Sequence, residues 1–125
     1  MTKSSYTQNI IVTRDMTAAH MGSGTLEVFS TPALCALMEN TAIKAITLPE
    51  GETSLGVEIN IEHLKASMVG ETLTVRAEVV AHEGHSIYFQ IEVKNSRNEI
   101  IGSARHTRVV VNADRFLSKL EEKTI

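Results

Sequence analysis

At 125 residues the chain has room for one hydrophobic core and not for two. Its 42% hydrophobic and 22% charged residues are those of an ordinary globular protein, and its longest apolar runs fall far short of a membrane span. A formal net charge of -3 excludes the basic surplus that binding to nucleic acid or to an anionic membrane surface requires.

The stretch MTKSSYTQNIIVTRD carries one Lys but neither an apolar core of signal-peptide length nor a small-residue cleavage site. The single cysteine, Cys35, cannot form an internal disulfide. One domain over 1–125, working in the reducing cytoplasm, is the expectation.

Residues 7–13, TQNIIVT, have β character, and Gly22, Ser23 and Gly24 mark the loop that follows. Thr31 before Pro32 reads as an N-cap with proline at the first helical position. The apolar pattern then runs to Leu48, where Pro49 and Gly51 stop it, giving a helix of about four to five turns. In GVEINIEH, residues 56–63, the period becomes two, so Val57, Ile59, Ile61 and His63 share one face and Glu58, Asn60 and Glu62 the other. Three further strands, TLTVRAEVVAH, HSIYFQIEVK and EIIGSARHTRVVV, follow in hairpin succession across turns at Glu83–Gly84 and Asn95–Asn98. Residues 112–122, NADRFLSKLEE, set Phe116, Leu117 and Leu120 at helical spacing and predict a short terminal helix.

One strand, one long helix and four more strands predict an α+β domain whose five-stranded antiparallel sheet wraps around the central helix, the hotdog architecture. An isolated copy would expose a sheet edge that edge-to-edge pairing removes, so a homodimer, or a tetramer of such pairs, is expected. Internal repeats and low-complexity segments are absent from the sequence.

Two ionisable residues sit awkwardly on this frame. At roughly 100° per residue, Asn40, Lys44 and Thr47 form the polar side of the long helix, whereas Glu39 falls at the border of the apolar arc beside Cys35, Ile43 and Ile46. A carboxylate there is either an edge residue that reaches solvent or an ion-pair partner, or else a buried, tuned base. His63 has the parity of Ile59 and Ile61, and is either a hydrogen-bonded core residue or a catalyst. Thr31 lies about 12 Å along the helix from Glu39, so a shared site needs a bridging substrate, an irregular first turn or a partner subunit.

Other candidates carry less. Cys35 reads as a packed core thiol. HEGH, residues 82–85, is a hairpin turn that sets His82 and His85 at opposite parity, so metal binding is not expected. Arg105, His106 and Arg108 read as exposed strand charges, or as contacts to an anionic or carbonyl-bearing ligand.

VFSTPALCALME, SLGVEINIEH and IGSARHTRVVV together resemble the fluoroacetyl-CoA thioesterase-like branch of the hotdog thioesterases, from about Gly22 to Val111. The resemblance rests on the threonine-to-glutamate spacing of eight, Thr31 to Glu39, and the glycine-to-histidine spacing of seven, Gly56 to His63. It implies that Thr31, Glu39 and His63 are catalytic and that Gly56 and Arg108 bind the substrate. The signatures of other hotdog branches are not found: His20 is followed by Met-Gly-Ser rather than by the two glycines of an HGG loop.

The implied function is hydrolysis of a short or medium acyl-CoA to a carboxylic acid and CoA, without a metal or other cofactor. Water or Glu39 attacks the carbonyl and His63 assists proton transfer to the thiolate, while backbone N–H groups near Gly56 or Thr31 hold the oxyanion. Thr31 serves as a hydrogen-bond donor or, given an adjacent base, as a nucleophile. A function of a different class is a non-catalytic hotdog module that binds acyl-CoA or another small ligand, with Glu39 and His63 as a structural pair.

Overall fold

The computed structural model describes residues 4–124. In chain order these form β1 (Ser5–Ile11), a 3-10 turn (Arg14–Met16), α1 (Ala18–Met21), α2 (Thr31–Lys44), β2 (Glu52–His63), β3 (Thr72–Glu83), β4 (Ser86–Lys94), β5 (Ile100–Asn112) and α3 (Ala113–Thr124). The five strands make one sheet in the order β1-β3-β4-β5-β2, with every neighbouring pair antiparallel. This is the hotdog arrangement. β1 begins and ends two residues earlier than the β character of 7–13 suggested, because Ile11 already faces Thr72, the first residue of its partner strand.

The sheet curls around α2, whose Leu34, Met38 and Ala42 are fully buried with Leu73, Val75, Ala77, Phe89, Ile91 and Ile101 of the strands. The helix lies very close to β5. A Cβ at Gly102 would stand 3.0 Å from Leu34 Cδ2 and 3.4 Å from Met38 Cε, so the missing side chain is what lets helix and sheet meet.

Two expectations about α2 are corrected. The N-cap is Ser30, not Thr31: Ser30 Oγ accepts from Ala33 N at 3.1 Å, Thr31 is the first helical residue, and Pro32 follows it. The Thr31 hydroxyl is thereby free of capping. The helix also stops at Lys44 rather than Leu48. Its final bonds tighten, Ala45 N reaching both Thr41 O and Ala42 O at 3.1 Å, and the chain then leaves the axis so that Ala45 and Ile46 become buried. Pro49 adds a steric bar against helical backbone at Leu48.

A third correction concerns β2. The pairing of β2 with β5 slips between Gly56 and Glu58, leaving Val57 as the extra residue of a β-bulge. Gly56, Ile59, Ile61 and His63 face Arg108, His106, Ala104 and Gly102 on the helix side of the sheet. Val57, expected beside Ile59, is instead 60% exposed.

The cap assignment is testable by urea unfolding. Ser30→Ala should lower stability by about 1 kcal/mol, whereas Thr31→Val, which removes no cap, should leave the helix start intact and change stability by less than half of that.

Candidate active site

The side chains singled out in the sequence fall into two groups at opposite ends of β2. At one end, the first residue of α2 meets the last residue of β2: Thr31 Oγ1 lies 2.8 Å from His63 Nδ1. Phe29 stands edge-on to the imidazole at 6.4 Å between ring centroids. Ser30, Thr31, His63, Leu64 and Lys65 line a cleft of about 290 Å³ at this point. His63 Nε2 is buried and has no hydrogen-bond partner among the described residues. A polar ring nitrogen in that state is costly unless a ligand supplies its partner. Burial pushes the His63 imidazole below its ordinary pKa, opposed by the ring's interaction as a donor with the Lys65 backbone carbonyl, and so favours the neutral ring.

At the other end, Glu39 projects from α2 onto Gly56. A Cβ on Gly56 would lie only 2.8 Å from Glu39 Oε2, so the carboxylate occupies space that any side chain there would take. Arg108 Nη1 is 3.8 Å from the same oxygen, and Cys35 Sγ donates weakly to Glu39 Oε1 at 3.7 Å. The Glu39 side chain is 40% exposed, so it is a part-exposed, ion-paired residue at the edge of the helix rather than a fully buried charge. The Cys35 thiol is pushed up by burial and by the adjacent Glu39, which makes it a poor nucleophile.

Arg108 and His106 are buried, contrary to their reading as exposed strand charges. Parity explains it: they share a face with Gly102 and Ala104, the two small residues that admit α2. That pairing of small and charged residues was the signal in the sequence. Arg108 is held by Ser54, which the sequence did not mark: Nε donates to Ser54 Oγ at 2.8 Å and Nη2 to Ser54 O at 3.0 Å. Burial lowers the Arg108 pKa and Glu39 opposes the shift; an arginine stays protonated regardless.

The bulge decides which way the two ends of β2 point. Gly56 and His63 are seven residues apart, an odd spacing that would put them on opposite faces of a regular strand. The extra residue Val57 restores parity and turns both toward α2. They remain far apart within the chain, by roughly 20 Å at about 3.3 Å per residue. One chain thus brings Thr31 to His63, and Glu39 to Gly56 and Arg108, but does not bring the two groups together.

HEGH forms the β3–β4 hairpin, with Gly84 at a φ of 61°. Among the described residues no three His, Cys, Asp or Glu side chains cluster so as to hold a metal, and no helix is long and apolar enough to cross a membrane.

Burial lowers the pKa of both His63 and His106. Above about pH 6.5, the unfolded value, folded and unfolded chains are both neutral at these sites and their contribution to stability is complete. As pH falls below that, the unfolded chain takes up the protons first, so stability declines until the folded pKa values are passed. Glu99, held at about 2 by Lys65, then Asn95 and Arg97, acts in a separate window below its ordinary carboxylate range. The Tm measured by calorimetry should therefore fall between about pH 7.5 and 5, and fall less when His106 is replaced by Gln.

A model of the fluoroacetyl-CoA-specific thioesterase family matches residues 12–114. The fluoroacetyl-CoA thioesterase of Streptantibioticus cattleyicolor is 36% identical over 100 residues, which cover 78% of this chain and 71% of that protein. A solved structure of a fluoroacetyl-CoA thioesterase superimposes with a TM-score of 0.90 at 29% identity, covering 100% of this chain and 98% of the other. A thioesterase superfamily member from Thermus thermophilus gives a TM-score of 0.86 at 25% identity over 97% of this chain and 93% of its own. With the family model spanning most of the chain, and with sequence and fold in agreement, this protein belongs to the fluoroacetyl-CoA-specific thioesterase family.

Proposed function

We propose that the protein hydrolyses acyl-CoA thioesters as a homodimer whose two sites are each built from both chains. The observation that carries this is the separation along β2: Thr31 and His63 form a ligand-ready pair at one end, and Glu39 waits at the other. β2 is an edge strand, so its outer row of backbone groups is open to a second copy. Antiparallel pairing of two β2 strands about Asn60 keeps faces matched, with Ile59 opposite the partner subunit's Ile61. The bulged Gly56–Val57 step then stands opposite the partner's His63. Glu39 of one chain is thereby delivered to the Thr31–His63 cleft of the other. A family relative solved with fluoroacetate and CoA bound, at 29% identity and a TM-score of 0.85, supports an acyl-CoA as substrate.

In this site the Thr31 hydroxyl donates to His63 Nδ1 and so fixes the proton of the neutral ring on Nε2. That N–H donates to the thioester as negative charge develops. Glu39 takes a proton from water as the water oxygen adds to the carbonyl carbon. When the C–S bond breaks, the proton passes to the departing thiolate, leaving a carboxylic acid and CoA. Arg108, buried against Ser54, acts on the carboxylate rather than reaching out to the CoA moiety. Gly56 serves by having no side chain. With its single cysteine half-buried beside Glu39 and unable to pair internally, the protein suits a reducing compartment such as the cytoplasm.

Thiol release from a panel of short and medium acyl-CoAs measures this directly. Glu39→Gln and His63→Ala should each lower turnover by about a hundredfold or more, and near-normal rates in both would reject the mechanism. Gly56→Ala should fold and yet lose activity comparably, because its methyl group displaces the Glu39 carboxylate. Co-expressing the Glu39→Gln and His63→Ala chains tests the shared site. Half of randomly assorted dimers are hybrids with one intact site of two, so activity should return to about a quarter of wild type. A site contained within one chain would give no recovery.

A further inference from the structure

The mechanism above makes no use of His106, yet this ring is 2% exposed and both of its nitrogens are engaged. It projects from β5 between its cross-strand neighbours Ile59 and Phe89, the latter tilted at 31° with ring centroids 5.9 Å apart. Nδ1 lies 2.8 Å from Glu58 O, a carbonyl that can only accept. Nε2 lies 3.1 Å from Arg108 Nη1, which can only donate. The two contacts admit one species: a neutral imidazole with its proton on Nδ1 and its lone pair on Arg108.

That lone pair completes the cradle of the guanidinium. Ser54 takes the Nε and Nη2 protons, and His106 takes one from Nη1. With all three nitrogens pinned, the plane of the group is fixed. The second Nη1 proton is left for Glu39 Oε2, 3.8 Å away. Glu58, whose carbonyl sets the tautomer, is the residue that follows the bulged Val57. The charged groups facing the ring are Arg108 from β5 and Glu39 from α2; β4 contributes Phe89, and β2 the Glu58 carbonyl and Ile59.

We propose that neutral His106 is a positioning residue: it aims Arg108 at Glu39 and thereby holds the carboxylate in register with the partner subunit's thioester. The proposal rests on the reading of Glu39 as the catalytic carboxylate. A protonated His106 would offer an N–H to the Arg108 N–H, and the guanidinium would swing off Glu39. The bulge therefore supports catalysis twice, by the parity of Gly56 and through the carbonyl of Glu58.

The test replaces the lone pair while keeping the ring. His106→Phe keeps an aromatic ring against Phe89, somewhat larger than the imidazole but with neither nitrogen, so a packing role alone predicts nearly unchanged kinetics. We expect kcat to fall about tenfold or more with KM changed by less than about threefold, because the carboxylate is no longer held in place. His106→Gln, whose amide offers both an acceptor and a donor, should recover most of the loss. Full kcat in His106→Phe overturns the proposal. Nitrogen NMR of the histidine-labelled wild-type dimer reads the tautomer without any variant having to fold. A proton on Nδ1 with Nε2 unprotonated at pH 7 supports the assignment, and the reverse tautomer or an imidazolium overturns it. Glu39→Gln run alongside separates the failures. If it is inactive while His106→Phe is normal, only the positioning role is lost; if it is fully active, the reading of Glu39 itself falls.

Discussion

The site hangs on one steric fact: the Glu39 carboxylate sits where a side chain on Gly56 would be. Oε2 is 2.8 Å from the point a Cβ would occupy, and the neighbouring Arg108 and His106 atoms are both 3.2 Å from it. Charged groups this close together, with Arg108 almost wholly buried, are tolerable only because each has a fixed partner. Ser54 and His106 hold the arginine, and the arginine faces the glutamate. The cost of an acid at the edge of a core helix is thus offset by contacts that come almost entirely from the sheet.

The bulge at Val57 ties this arrangement to the rest of β2. It adds one residue on an edge strand, which rotates everything before it by half a period relative to everything after. Gly56 and His63 can therefore both look toward α2 despite their odd spacing. In the proposed dimer the same step lets the carboxylate end of one strand meet the imidazole end of its neighbour. A hotdog sheet has a free edge whatever its function; here both groups of candidate residues lie along the strand at that edge, and in the proposed dimer closing the edge would also join them.

The two histidines of the site show how burial and partners set different roles for the same side chain. Each has its pKa lowered chiefly by desolvation. His106 has both nitrogens spoken for and is fixed in one tautomer. His63 has one nitrogen on Thr31 and the other buried with no close hydrogen-bond partner among the described residues. Thr31 can serve it because Ser30 takes over the capping of α2.

Periodicity in the sequence determined the α+β hotdog order, the position of the central helix and the anomaly of Glu39 and His63, since alternation and helical spacing are local properties of the chain. The resemblance in VFSTPALCALME, SLGVEINIEH and IGSARHTRVVV singled out Thr31, Glu39, His63, Gly56 and Arg108, which gather in two groups along β2. Local pattern could not reveal the bulge, which shows only in the pairing with β5 and which expels Val57 from the face it was assigned. Nor could it choose Ser30 over Thr31 as the cap, because that choice depends on what else the Thr31 hydroxyl can reach, and its partner is 32 residues away. Ser54 went unmarked and His106 read as an ordinary strand charge or ligand contact for the same reason: their importance lies in what they touch across strands, and only the folded sheet brings Ser54, His106 and Glu39 around one guanidinium.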